Sequence, residues 1–308
     1  MTQTAAAPAG EIPASYHPLR VAIQGVPGAF HEIAARQYFS PETVEIVPAL
    51  TFDELVNMVE KGTQADVGLM AMENTLAGGL MANFRLLNES RLQAAGEVFL
   101  RIRQNLMALP GVAIEDLHEV HSHPIAIAQC REFFRQYPHI RLVEAEDTAL
   151  SARNIRDQGL QQVGAIGSSL AAELYGMNML AESIETNKKN LTRFLVLRRE
   201  AEVEENPASD KVSLSFSVDH EVGSLYKVLA VLAAYHANLT KIQSMPIIGK
   251  PWEYLFFLDF VAEGKLSYQQ AVDAIRPITH NLKVLGVYPK GILIEEENCI
   301  DTPKSTLS

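Results

Sequence analysis

The strongest constraint on this chain is a change of rhythm partway along it. From about residue 20 to 199, short apolar, β-branched runs alternate with segments of helical spacing. Arg20–Gln24 reads as a strand and Gly25-Val26-Pro27-Gly28 as a turn. Phe30–Phe39 reads as a helix, with Phe30, Ile33, Ala34 and Tyr38 on one face. Strands continue at Val44–Val47, Asp66–Met72, Glu97–Leu109, Arg141–Ala145, Val163–Gly167, Met179–Ile184 and Phe194–Leu197. Such alternation predicts an α/β domain with largely parallel sheets. A second lobe over about 100–180, entered and left by two chain crossings, would create a cleft. The acidic, proline-containing stretch 200–210 reads as a linker. Beyond it the order becomes β-α-β-β-α-β, the ferredoxin-like arrangement. The expected division is a disordered lead over 1–18, the α/β domain over 19–199, the linker, the ferredoxin-like domain over 211–295 and a tail over 296–308.

Composition narrows the function. Lys and Arg number 26 against 37 Asp and Glu, a net charge of −11 among 308 residues. An acidic chain is a poor ligand for nucleic acid or an anionic membrane. No apolar run approaches the ~20 residues of a membrane span. Cys130 and Cys299 are too few for a disulfide framework or a cysteine zinc site. The first residues lack the basic start and apolar core of a secretory signal. A cytoplasmic protein is expected.

Candidate chemistry lies in three places. Asp66–Met72 runs into Glu73-Asn74-Thr75 and Gly78-Gly79. Open α/β sheets bind ligands at such strand ends, although Asn74 or Thr75 could equally cap a helix. In Val120-His121-Ser122-His123-Pro124, the proline predicts a helix starting near 124. His118, His121 and His123 lack a known metal-ligand spacing, so no metal is expected. Residues 185–199 carry five basic side chains and one acidic, in an otherwise acidic chain. There Arg193 follows Thr192: a guanidinium fork matches a carboxylate, and a hydroxyl beside it can donate a hydrogen bond. A solvated basic loop is the alternative. No Walker loop, G-x-G-x-x-G or G-x-S-x-G motif is present, so no nucleotide cofactor is indicated.

Taken in order, these motifs resemble those of the bacterial prephenate dehydratase family with its C-terminal ACT regulatory domain. Asn190-x-Thr192-Arg193-Phe194-Leu195-Val196 is similar to its N-x-T-R-F-L-V signature, and Glu73-Asn74-Thr75 to its E-N-S/T element. Ser122-His123-Pro124 with Gln129-Cys130, and Tyr175-Gly176 with Ala181–Glu185, resemble two further elements. Asn238–Ile242 and Pro251–Phe257 continue the pattern, so the likeness spans about Arg20–Gly291. The resemblance implies a periplasmic-binding-protein-like two-lobed cleft. It implies a cofactor-independent lyase that converts prephenate to phenylpyruvate with loss of water and carbon dioxide, on the route to phenylalanine. Thr192 would assist departure of the hydroxyl. Asn74, Thr75, Ser122, Gln129, Asn190 and Arg193 would bind substrate, together with Gly28, Ala29 and Phe30. Glu73 and Phe194 would orient the site. L-phenylalanine would be the effector, held between subunits of a homodimer or homotetramer. Its site would comprise His220, Glu221, Val222, Gly223, Ser224, Leu225 and Tyr226, facing Asn238, Leu239, Gln243, Ser244, Met245 and Pro246. Arogenate dehydratase and a non-catalytic ligand sensor are the alternatives. The chain departs from the pattern at Ala29 and His31, where the family has hydroxyls, and at Ile125. It departs again at Gly223-Ser224-Leu225 and Gln243-Ser244-Met245-Pro246, where it lacks the glutamate and arginine of the family's E-S-R-P.

Overall fold

The computed structural model describes residues 18–204, 206–262 and 267–294. The expected lead, apart from Pro18, and the expected tail lie outside the described residues, as does Cys299. The first lobe is built from β1 (Leu19–Gln24), α1 (Phe30–Tyr38), β2 (Val44–Ala49), α2 (Phe52–Lys61), β3 (Val67–Asn74), β4 (Gly78–Gly79), α3 (Met81–Glu89) and β5 (Leu92–Arg101). The chain then crosses to the second lobe. This holds β6 (Asn105–Ala108), β7 (Glu119–Ser122), α4 (Pro124–Phe134), β8 (Arg141–Glu144), α5 (Thr148–Gln158), β9 (Val163–Gly167), α6 (Ser169–Leu174) and β10 (Asn178–Ala181). It returns through β11 (Leu191–Arg199) to the first lobe. The C-terminal unit follows as β12 (Lys211–Ser217), α7 (Ser224–Ala234), β13 (Ala237–Pro246), β14 (Tyr254–Ala262), α8 (Tyr268–Ile275) and β15 (His280–Tyr288), with a last short strand β16 (Ile292–Ile294).

Local chemistry sets these boundaries. Thr51, Asp147 and Ser168 cap α2, α5 and α6 with side-chain oxygens. Pro124 starts α4, where its missing N–H costs nothing. Left-handed Gly62 and Gly159 end α2 and α5.

The sheets are mixed, a correction to the largely parallel arrangement expected. β1 pairs with β2 and β3 in parallel, and β7 with β8 and β9. β11 runs antiparallel between β3 and β5, and β6 antiparallel between β9 and β10. The reason is the crossings: a strand that returns from the other lobe enters the sheet from the opposite end. The single strand expected over Glu97–Leu109 is two, β5 and β6, in different sheets. The C-terminal strands lie in the order β13-β14-β12-β15, all antiparallel, with α7 and α8 covering a shared core around Phe216, Val228, Leu232, Leu258 and Ile275. This sheet continues into the first lobe where Gly286 meets Ala94, and β16 pairs in parallel with β5 farther along. A Cβ on Gly286 would lie 2.2 Å from the Ala94 carbonyl oxygen, so the junction requires glycine. Among the described residues, no helix is long and apolar enough to cross a membrane.

Candidate active site

The cleft is built where β3 and β11 end against the crossings. Thr192 lies opposite Asn74 and Arg193 opposite Glu73. The register slips between Arg193 and Phe194, leaving an extra residue on β3. Such bulges re-aim side chains and recur beside active sites. Alternation along β11 then sends Thr192 and Phe194 to the cleft and Arg193 to the other face. The crossings close the floor: Ile102 N–H donates to Asn190 O (2.8 Å), and Ile184 N–H to Gln104 O (2.7 Å).

Asn74 is pinned at both ends. Its Oδ1 accepts the N–H groups of Leu76 and Ala77, each at 2.9 Å. Its Nδ2 must therefore face the cleft, where it donates to Asn190 Oδ1 (2.7 Å) and Thr192 Oγ1 (2.9 Å). Asn190 Nδ2 in turn donates to Gln129 Oε1 (2.9 Å), which also accepts from Gln104 Nε2 (3.4 Å). Gln129 is left with Nε2 as its donating end. The consequence at Thr192 is directional. Its oxygen accepts from Asn74, so its own O–H is available to donate into the cleft.

The cavity at this point is about 220 Å³. That is below the ~300–1,000 Å³ of drug-sized sites and suits one small molecule. Among the described residues lining it there is no lysine or arginine; its ionisable groups are His31, His123, Glu146 and Asp147. His31 meets Phe194 edge-on at 4.9 Å and Phe52 at 5.7 Å, and its Nε2 is sealed from solvent with no hydrogen-bond partner among the described residues. Burial pushes its imidazole down to about 4, so it is neutral at pH 7. Burial raises the Asp147 carboxyl, against the pull of the Leu150 and Ala149 N–H groups it accepts. Asp147 also reaches across to the first lobe, where a Cβ on Gly25 would lie 3.2 Å from its Oδ2.

Of the residues expected from sequence, Thr192, Asn74, Gln129, Asn190, Ala29, Phe30 and Phe194 line the cleft. Others do not. Arg193 is 2% exposed on the opposite face, held by Glu73, Glu97, Asp259 and Tyr288, which argues against a carboxylate-binding role. Its fork is already filled. Glu73 points the same way, toward Arg193 and Lys241. Ser122 is fully buried and donates to Ile166 O (2.7 Å), which makes it structural. Thr75 ties β3 to β11: it donates to Lys189 O (2.9 Å) and accepts Leu191 N–H (3.0 Å). Gly28 packs behind the site, its would-be Cβ 2.9 Å from Ala171 Cα, while its carbonyl accepts from Ser168 (2.6 Å). Cys130 is a core residue whose thiol burial pushes up to about 12.

Sequence reading missed Gln24, Gln104, His31, His123, Glu146, Asp147 and Thr148 as cleft residues. Asp147-Thr148 was readable as a helix start at a strand's end, the same signal that located Asn74. Gln104 lies on a crossing and carried no local signal.

Comparison with known proteins places this geometry. A family model described as prephenate dehydratase matches residues 21–202. Arogenate dehydratase 2 of Petunia hybrida is 39% identical over 288 residues, covering 88% of this chain and 72% of that protein. A solved structure titled as a prephenate dehydratase in complex with L-Phe, from Arthrobacter aurescens, superposes with a TM-score of 0.79. It shares 26% identity, over 88% of this chain and 90% of that one. A structure titled GqqA, a novel type of quorum quenching acylase, superposes with a TM-score of 0.79 at 32% identity, over 88% of this chain and 98% of that one.

Proposed function

The chain belongs to the prephenate dehydratase family, and on that premise we propose that its cleft converts prephenate to phenylpyruvate. The observation that carries this reading is the Thr192 hydroxyl, oriented as a donor by the Asn74 amide. The substrate loses its ring carboxylate as carbon dioxide and its ring hydroxyl as water, taking up one proton. The ring becomes aromatic, so the driving force lies in the substrate and no electron acceptor is needed. Thr192 O–H hydrogen-bonds the departing hydroxyl oxygen and stabilises the negative charge that develops there as the C–O bond breaks. A threonine is too weak an acid to give up its own proton, so the proton that completes the water comes from solvent, and the Asn74 Nδ2 bond holds Thr192 in its donating orientation. Gln129 and Asn190 hold the ring's flank with neutral amides, and His31 and Phe194 exclude water.

The acidic side of the cleft supports a second reading, arogenate as substrate. Arogenate carries an ammonium group where prephenate has a keto group. Glu146 and Asp147 line the cleft with no cationic residue among its described lining, and an ammonium beside the half-buried Asp147 carboxyl would stabilise its charged form. Steady-state kinetics on both substrates tests the two readings. Turnover of either supports the dehydratase. A preference for arogenate that falls in Asp147→Asn, which keeps the helix cap, supports the second. Turnover of neither overturns both.

The C-terminal unit is read as an ACT module that binds L-phenylalanine between subunits of a homodimer or homotetramer. Gly223, with φ +83°, has nothing within 4 Å of its would-be Cβ, so the turn at 220–226 leaves room for a ligand. β13 is a sheet edge that carries exposed Ile242 and runs into a turn with exposed Ile248 and Trp252, and Val222 and Tyr226 are exposed at the start of α7. The reaction's setting is read as the cytoplasm.

A further inference from the structure

Behind the cleft, Arg193 centres a buried charge cluster that joins the two units. Its Nε donates to Glu97 (2.7 Å), its Nη1 to Glu73 (3.1 Å) and Asp259 (2.5 Å), and its Nη2 to Tyr288 Oη (2.9 Å). From the C-terminal unit, Lys211 donates to both Glu97 oxygens, and Lys241 pairs with Glu73. Three cations thus face three carboxylates. The side chains of Arg193, Glu97 and Asp259 are 2%, 0% and 4% exposed, so none can be solvated if a partner leaves.

Two members of this cluster are chain neighbours of the pair that works in the cleft. Glu73 precedes Asn74, Arg193 follows Thr192, and both pairs stand opposite each other across β3 and β11. The bulge directly beyond them is where β3 could slip. The turn after Asn74 also rests on β13: a Cβ on Gly79 would lie 3.8 Å from Gln243 Oε1 and 3.9 Å from Lys241 Nζ.

We propose that Lys241, Asp259 and Tyr288, none of which lines the cleft, are positioning residues for the reaction: through Glu73 and Arg193 they fix the register in which Asn74 donates to Thr192. The C-terminal unit is thereby part of the catalytic geometry, and any event that moves β13 is felt at Asn74. This rests on the reading that Thr192 and Asn74 act on the substrate.

The test uses the full chain with Lys241→Met, Lys241→Arg and the milder Tyr288→Phe. Steady-state kinetics with prephenate and hydrogen exchange of the β3 and β11 amides are measured together. Lys241→Met is expected to lower kcat about tenfold or more with KM within about twofold, because misplacement acts on the transition state. Exchange at Leu191–Phe194 should quicken while β6–β10 stays unchanged. Lys241→Arg should restore both, and Tyr288→Phe should show the same pattern more weakly. Unchanged exchange at Leu191–Phe194, or quickening spread evenly over both lobes, overturns the proposal. So does a kcat within twofold of wild type. If the wild type does not turn over prephenate, the substrate reading falls, and the exchange pattern still decides the positioning role.

Discussion

Asn74 shows how much of the site is decided by a single side chain. With Oδ1 occupied by two backbone N–H groups, its amide cannot flip, and the direction of every hydrogen bond from Thr192 to Gln129 follows. His31 is the other residue with a measurable signature. Its imidazole titrates near 4 in the folded chain and near 6.5 unfolded, so between those values the unfolded chain binds the extra proton. Stability contributed by neutral His31 is complete above about pH 6.5 and is lost as pH falls toward 4. Between pH 7 and pH 5 this residue should cost the wild type on the order of 1–2 kcal/mol that His31→Leu does not lose. Chemical denaturation of both proteins at the two pH values checks it, and equal losses would contradict the assignment.

At the scale of elements, β11 carries the account. One face serves the cleft and the other the junction between units. Arg193→Ala should therefore act on stability, leaving Asp259 buried without its ion-pair partner and Glu97 held by Lys211 alone, at a cost of about 3–5 kcal/mol. Arg193→Lys should recover little, because one ammonium cannot reach four partners. Urea unfolding measures this; a stable variant with only a raised KM would restore the substrate role to Arg193. The same strand shows where sequence was legible. The apolar run Phe194–Leu197 marked it, and Pro124 marked the start of α4, because these signals are local. Its true start at Leu191 was hidden: Thr192 and Arg193 are polar, as they face partners distant in the chain. With the strand begun at Leu191, period-two alternation alone separates Thr192 from Arg193. The cluster that gathers Glu97 and Asp259 on Arg193 forms across the junction of the two units, which no local pattern encodes. Neither α3 nor β16 was anticipated, and the split of β5 from β6 is masked because Arg101 and Arg103 alternate with Leu100 and Ile102, which reads as one continued strand.

At the scale of the whole molecule, the sheet that starts in the first lobe ends at β13, the strand proposed to carry part of the effector site. Effector binding there and substrate binding in the cleft should be linked reciprocally. Calorimetry with L-phenylalanine should show binding to the wild type and at least about tenfold weaker binding to Gly223→Val, where the left-handed turn is both strained and filled. Light scattering should give a dimer or tetramer. An oligomer with no phenylalanine binding would leave assembly standing and remove regulation. The central claim, that the Thr192 hydroxyl assists departure of the substrate's own, is tested most directly by phenylpyruvate formation from prephenate in wild type, Thr192→Ser and Thr192→Ala. The account predicts that Thr192→Ala lowers kcat by ~10²–10⁴-fold with a far smaller change in KM, and that Thr192→Ser retains more activity than Thr192→Ala. A Thr192→Ala enzyme within threefold of wild type in kcat would contradict it.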